Sequence, residues 1–339
     1  MIVIGGGIIG CATAYFAERA GLRTLVLEKR PALATLTTPV ATGAFRLQFD
    51  NAEEVELVRE SVAFFDELQG RVDLGLRHQG YLFAACTEEG AAAQAELVRA
   101  QAGWGLTDVE LIDGDAARRR FPYLSANVIN ARFRQGDGWL QPRALALELA
   151  AASGARFRTG TGVTGLLRRG DRVQGVVTDA GPLEGGITVI AAGPLSGAIA
   201  KLAGLDLPLS TVRRQKLIVP DLPQVPGDAP MTIEFETGAH WRPAGLARVA
   251  PFWKNAWASS RLQWWLQAGQ YTYTPDRRPL LGPTAIEGLA VNTGYSGHGI
   301  MGSIGGSRRA VDAITGKLSP NANPFRPDRS MAARAFDVL

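Results

Sequence analysis

Met1-Ile2-Val3-Ile4-Gly5-Gly6-Gly7-Ile8-Ile9-Gly10 opens the chain, and its reading decides the fold. Four apolar residues read as a short strand buried on both faces. The glycines that follow match G-x-G-x-x-G at Gly5, Gly7 and Gly10. A helix is expected over residues 9–20, with Ala12, Tyr15 and Phe16 near helical spacing and Gly21 ending it. A second strand is expected over 22–27, ending at Glu28. Each part has a physical role. Gly5 permits the tight turn, Gly7 lets backbone approach a pyrophosphate, and Gly10 lets helix and sheet pack closely. The helix N-terminus offers free N–H groups and a positive dipole end to phosphates. Glu28 stands where an acid accepts hydrogen bonds from ribose hydroxyls, which argues against a 2′-phosphate and hence against NADP. Strand, turn, helix, strand and acid together point to a dinucleotide site; the motif alone does not separate FAD from NAD.

Composition agrees with a folded, soluble protein. Hydrophobic residues make up 46% and charged residues 20% of 339, with mean hydropathy +0.01. There are 40 glycines, well above an average usage of about 7%, and no G-X-Y period runs through them. No stretch reaches the roughly 20 apolar residues of a spanning helix. The net charge is +4 and the charges are scattered, without the basic stripe and interleaved aromatics of a nucleic-acid binder. Cys11 and Cys86 make no disulfide framework, and His78, His240 and His298 lack metal-ligand spacing, so no metal is expected. The chain starts directly on the first strand, which leaves no room for a signal peptide and makes the cytoplasm the expected compartment.

Further along, residues 39–49 read as irregular. Residues 51–68 form an amphipathic helix with Val55, Val58, Val62 and Phe65 on one face. A strand is expected at 81–84, and helices at 88–102, 113–121 and 142–152. Three short strands follow at 155–159, 163–167 and 173–178, then a buried strand at 187–190 and a helix at 194–203. Residues 209–268 carry strands, including 215–219 and 231–235, and hold Trp241, Trp253, Trp257, Trp264 and Trp265. Nine glycines lie between Gly269 and Gly306. There a strand at 289–292 runs into Gly294-Tyr295-Ser296-Gly297-His298-Gly299 and a helix over 301–315. This second glycine-rich strand-to-helix junction reads as another approach of backbone to the same ligand.

These segments, with Ala41-Thr42-Gly43-Ala44-Phe45-Arg46-Leu47-Gln48-Phe49, residues 189–196 and Tyr271-Thr272-Tyr273-Thr274-Pro275-Asp276, resemble the FAD-dependent D-amino-acid oxidase superfamily, in its sarcosine, glycine and dimethylglycine oxidase-like branch. They occur in the family's order and span nearly the whole chain. The resemblance implies an α/β fold of two domains. A Rossmann-like FAD-binding domain would comprise 1–72, 143–206 and 269–325. A discontinuous mixed β-sheet substrate domain would comprise 73–142 and 207–268, and 326–339 a C-terminal tail. It further implies oxidation of the C–N bond of a small amino acid. A hydride passes to flavin N5, the imine is hydrolysed, and the electrons go to O2 or another acceptor. A homo-oligomer and a subunit of a larger oxidase complex both fit this picture.

The resemblance also assigns residues. Arg46 matches an arginine that binds the substrate carboxylate, a task suited to a planar guanidinium with two parallel donors. Tyr271 matches a pocket tyrosine, the alternative being a core aromatic. His240 lines the pocket or is a hydrogen-bonded structural histidine. Gly5, Gly7, Ile8, Ile9, Gly10, Glu28, Lys29, Thr38, Thr42, Gly43 and Ala44 fall to the cofactor. Val163 would meet the adenine, and Ala192 and Gly193 the dinucleotide. Gly297, His298, Gly299, Ile300 and Met301 would meet the pyrimidine edge of the flavin, His298 through its backbone. Some relatives attach flavin through a cysteine where this chain has Gly269, others through a histidine where it has Thr38-Pro39-Val40; both departures point to non-covalent FAD. A lysine of the single-chain sarcosine oxidases is replaced by Met301, with Arg242 the substitute in view. Residues 30–39 lack the usual Gly-Ser pattern, and 245–262 are shorter than in the family. Other readings are a dehydrogenase that serves a quinone or partner subunit, a non-catalytic flavin-binding subunit, and, more distantly, an NAD-linked dehydrogenase.

Overall fold

The computed structural model describes residues 1–218, 226–241 and 265–334. Arg242, the shortened stretch 245–262 and Trp253, Trp257 and Trp264 lie outside them.

Apolar runs at 2–4, 25–27, 188–190 and 289–293 form the centre of a six-stranded sheet. Its order is Leu280–Pro283, Leu289–Thr293, Thr188–Ile190, Ile2–Ile4, Leu25–Leu27, Arg156–Arg158. All neighbours are parallel except the edge strand Leu280–Pro283, which runs antiparallel. Side chains alternate across it. Val3 packs with Ala14 of the helix Ile8–Arg19, while Ile2 and Ile4 pack with Val176 of a three-stranded meander, Val163–Arg169, Arg172–Thr178 and Gly181–Glu184. Helices Pro142–Ser153 and Ser303–Ile314 pack against Ile8–Arg19.

A second sheet has the order His240–Trp241, Met231–Glu234, Tyr81–Ala85, Asn130–Arg134, Glu110–Asp113. Met231–Glu234 runs parallel to Tyr81–Ala85 and the remaining pairs are antiparallel. Leu82, Ala84, Ala131 and Phe133 pack on Ala117, Phe121 and Leu124 behind it. Tyr81, Phe83, Met231 and Ile233 form a separate cluster on the other face. A ribbon of Ser210–Ile218 and Trp265–Tyr273 stands apart from both sheets.

The amphipathic helix runs Ala52–Gln69. Asn51 caps it by accepting from Glu54 N, and Val55, Val58, Val62 and Phe65 are buried as patterned. Each such burial contributes roughly 1.5–3 kcal/mol.

The chain is thus a mixed α/β protein with several sheets. Some expectations need correction. The second strand starts at Leu25, because Thr24 N is held by Glu18 Oε1 at 2.6 Å in the turn before it. Residues 194–203 split into a 3-10 turn, Gly193–Leu195, and a short helix, Ser196–Lys201, because Pro194 opens a tighter turn. The last helix starts at Ser303 rather than 301. The strand Ala44–Phe45 lies in a stretch read as irregular, where it pairs with Gly138–Trp139.

Candidate active site

At the N-terminal junction Gly5 has φ +112°, and a side chain there would meet the Ala191 carbonyl at 2.5 Å. A Cβ on Gly10 would lie 1.8 Å from Gly5 O, so the helix sits directly on the turn. Gly7 caps the helix without a side-chain bond. Ile8 N instead donates to Thr38 Oγ1 at 3.1 Å, from the 3-10 turn Thr38–Val40. Glu28 follows its strand, as anticipated. Its Oε2 accepts from Gly6 N at 2.7 Å and its Oε1 from Arg30 N at 2.8 Å, which fixes the carboxylate beside the turn.

Arg46 is 3% exposed. Its Nη1 donates to Gln48 O at 3.3 Å, its Nη2 meets His298 Nε2 at 3.4 Å, and its guanidinium lies 4.5 Å from the Phe49 ring centroid. Its segment is held from behind by Asp137, which is fully buried. Asp137 accepts from Leu47 N at 2.9 Å, Gln48 Nε2 at 2.9 Å and Arg134 Nη1 at 2.7 Å. Burial pushes the Asp137 carboxyl above its ordinary value, against the pull of Arg134 and the two donors of the Arg46 segment. On the neighbouring sheet, Arg132 pairs in register with Phe83 and stacks 4.3 Å from its ring. Burial first, and the charge of Arg46 second, press its ionisation down to about 9, which leaves it charged at neutral pH. The sequence reading passed over Asp137 and Arg132. An Asp-Gly pair reads as an ordinary turn, and an arginine within Asn-Ala-Arg-Phe-Arg reads as surface.

Tyr271 and Tyr273 stand on the ribbon with ring centroids 6.1 Å apart. Burial raises the Tyr271 hydroxyl, and Tyr273 adds to this. His240 Nδ1 lies 3.0 Å from Gly238 O. A carbonyl only accepts, so Nδ1 carries a proton. Burial lowers the His240 ionisation; the Gly238 bond opposes this, and Arg46 and Arg214 reinforce it. At the second glycine junction, Tyr295 Oη donates to Asn292 Oδ1 at 2.6 Å. Asn292 Nδ2 in turn donates to Thr13 Oγ1 and Ser307 Oγ at 2.9 and 3.0 Å. The two glycine junctions are therefore tied together through helix Ile8–Arg19.

One cavity of about 1010 Å³ joins these parts. Every residue expected at cofactor or substrate lines it except Gly10, which packs beneath the turn. Arg214, Lys216, Met231 and Ile233 line it as well. The second glycine cluster is corrected in part. Gly294, Gly297 and Gly299 line the cavity, but Gly305 and Gly306 do not. Those two let the last helix close on Leu57 O and the Tyr295 hydroxyl. His298 lines the cavity, and its side chain also reaches Arg46.

The residues fit FAD. A helix N-terminus capped by a glycine and a fixed acid stand at one end of the cavity, and a glycine turn backed by buried polar bonds at the other. No helix among the described residues is long and apolar enough to cross a membrane.

Comparison with known proteins agrees. Residues 1–251 match the family model of the FAD dependent oxidoreductases, DAO. The chain is 27% identical over 231 residues to the mitochondrial dimethylglycine dehydrogenase of Homo sapiens, covering 66% of this chain but 26% of that protein. It therefore spans about a quarter of the length of that relative. A D-amino acid dehydrogenase of Cereibacter sphaeroides is 27% identical over 407 aligned positions, covering 94% of this chain and 92% of that one. Those positions outnumber the 339 residues here, so that relative carries segments this chain lacks. Among solved structures, the L-proline dehydrogenase of P. horikoshii superposes with a TM-score of 0.85 at 24% identity, covering 96% of both chains. With the matched model covering more than half of the chain, the protein belongs to the DAO family of FAD-dependent oxidoreductases.

Proposed function

We propose that the protein oxidises the C–N bond of a small amino acid of the sarcosine, glycine or D-amino-acid type. The observation that carries this reading is Arg46, a buried cation on the wall of the cavity. A buried guanidinium beside a cofactor cradle suits a carboxylate, since both are planar and pair through parallel charge-assisted bonds. The chemistry FAD supplies when bound is acceptance of a hydride at N5. Arg46 binds the carboxylate and so fixes the carbon that gives up the hydride. Tyr271 and the apolar face of Met231 and Ile233 exclude water from that carbon. His240 lines the cavity and is held neutral by burial and by the cations Arg46 and Arg214, and the amine enters already unprotonated.

For the cofactor, we assign Gly5, Gly7, Ile8 and Ile9 to the pyrophosphate, Glu28 to the ribose, Val163 to the adenine side and Gly297 to Met301 to the ring. The turn Thr38–Val40 carries no histidine and Gly269 stands against Val40, which supports non-covalent binding. The sheets support the domain division. The strands of the six-stranded sheet fall within 1–72, 143–206 and 269–325, and those of the five-stranded sheet within 73–142 and 207–268. The ribbon strand Trp265–Tyr273 straddles the boundary at 269.

For the acceptor, the two sequence relatives described above are named dehydrogenases, which supports a dehydrogenase beside the oxidase reading. Turnover in air tests this: peroxide at one equivalent per substrate identifies an oxidase, and turnover only with an added quinone or dye a dehydrogenase. Steady-state kinetics of Arg46→Ala tests the substrate reading, since unchanged kcat/KM for an amino acid would remove it.

A further inference from the structure

We propose that His298 is a positioning residue for Arg46 and that Glu54 holds the tautomer in which it acts. This rests on the reading of Arg46 as the carboxylate-binding cation. His298 is 6% exposed, with Nε2 at 3.4 Å from Arg46 Nη2. A guanidinium has donors and no acceptor, so Nε2 must be the acceptor. A neutral imidazole then carries its proton on Nδ1. That atom is buried without a hydrogen-bond partner and faces Glu54 Oε1 at 3.8 Å. Glu54 is 5% exposed, and its other oxygen accepts from the cap residue Asn51 at 2.7 Å.

The three side chains come from three places in the chain, and two of them share one support. The Phe49 ring meets the imidazole edge-on at 5.1 Å and the Arg46 guanidinium at 4.5 Å. The His298 backbone is fixed on both sides, its N–H donating to Tyr295 O and its carbonyl accepting from Gly302 N, each at 2.8 Å. Together with the Gln48 carbonyl on Nη1, His298 sets the plane of the guanidinium before a carboxylate arrives. A group held in advance loses less freedom on binding, so the benefit is in affinity. The first turn of helix Ala52–Gln69 is thereby connected to the substrate cation, with Glu54 serving both its cap and the histidine.

Acetate is the probe, titrated into the FAD-loaded protein by calorimetry, with FAD content and melting temperature matched between variants. Arg46→Ala is expected to abolish acetate binding. His298→Ala weakens it about 10-fold or more, and His298→Gln, which restores an acceptor, recovers most of the loss. With an amino-acid substrate, His298→Ala raises KM by a similar factor and leaves kcat within about 3-fold, the pattern of lost uniform binding. If His298→Ala does not retain FAD, Glu54→Leu serves instead, with an expected weakening of about 3- to 10-fold. Acetate binding lost in Arg46→Ala but unchanged in His298→Ala, or in Glu54→Leu where that variant stands in, overturns the inference and leaves the substrate reading intact. Acetate binding unchanged in Arg46→Ala overturns the substrate reading itself. A fall in kcat at constant KM in His298→Ala also contradicts positioning.

Discussion

Arg46 brings a charge to a place where little water reaches it, and its surroundings are built to keep it there. Phe49 lies against its face, Gln48 O and His298 occupy two of its donors, and Asp137 pins the two residues that follow it. Truncation to Ala is expected to lower kcat/KM by about 100-fold or more, since a buried charge-assisted contact is lost. Lys in its place restores charge without the planar fork and recovers only part. Asp137→Ala leaves Arg134, Leu47 N and Gln48 Nε2 facing a cavity. It should destabilise the fold by about 3–5 kcal/mol in chemical denaturation, as when one partner is removed from a buried pair. His240 gives a pH signature. Its folded ionisation lies below the ordinary 6.5, so the unfolded chain takes up a proton that the folded chain still refuses. Stability is then lost as pH falls from 6.5 through the folded value. Melting temperature followed from pH 7 to 5 should fall less steeply in His240→Gln than in the parent. Arg46 and Tyr271 were legible because each sits in a short motif. Asp137 and Arg132 were not, because Asp137 acts on Leu47 and Gln48 far earlier in the chain and Arg132 stacks on Phe83 of a neighbouring strand. An isolated Asp or Arg gives no local sign of burial.

The elements that matter most are the two glycine-rich junctions. Gly10 is the tighter constraint, since a Cβ there overlaps Gly5 O at 1.8 Å. Gly10→Ala must push the helix off the turn, and purified protein is expected to lack FAD absorbance while Gly103→Ala, with open space around it, retains it. The second junction depends on Tyr295, whose hydroxyl burial pushes well above its ordinary ionisation and which donates to Asn292. Tyr295→Phe strands the buried Asn292 carbonyl and should cost about 1–3 kcal/mol, read as a lower denaturation midpoint. Both junctions were legible as strand–glycine–helix patterns. The division of labour within the second was not. Gly297 and Gly305 look alike in sequence, and only the arrival of Leu57 from another helix makes the second a packing residue. The strand Asn130–Arg134 escaped notice for a related reason. Its apolar residues Ala131 and Phe133 alternate with arginines, and one of these, Arg132, is buried beside the site instead of facing water.

At the scale of the whole molecule, the cavity lies between the six-stranded sheet and the five-stranded one, with the ribbon along it. The C-terminal segment is clamped onto the turn that follows the ribbon. Arg329 pairs with both oxygens of Asp276 at 2.8 and 2.9 Å and donates to the carbonyls of Pro279, Arg278 and Arg326. Burial acts to raise the Asp276 carboxyl, but Arg329 and the neighbouring donors outweigh it, and the net shift is below 3.8. The stability this pair gives is present above that pH and is lost as pH falls through the lower folded value. Arg329→Ala should make acid unfolding begin at higher pH and lower stability at neutral pH by about 3 kcal/mol. Asp276 lies in the same motif as Tyr271, so the motif joins a cavity residue to a structural clamp. The order of motifs along the chain made the mixed α/β fold legible, while this clamp, made by a segment 53 residues away, was hidden from any local pattern. All of these parts serve one claim, that a flavin and an amino acid meet beside Arg46. The most direct test mixes the purified FAD-loaded protein anaerobically with N-methyl and D-amino acids. The account predicts that at least one bleaches the flavin absorbance near ~450 nm in the parent and not in Arg46→Ala. No bleaching by any of them, or equal bleaching in both proteins, would contradict it.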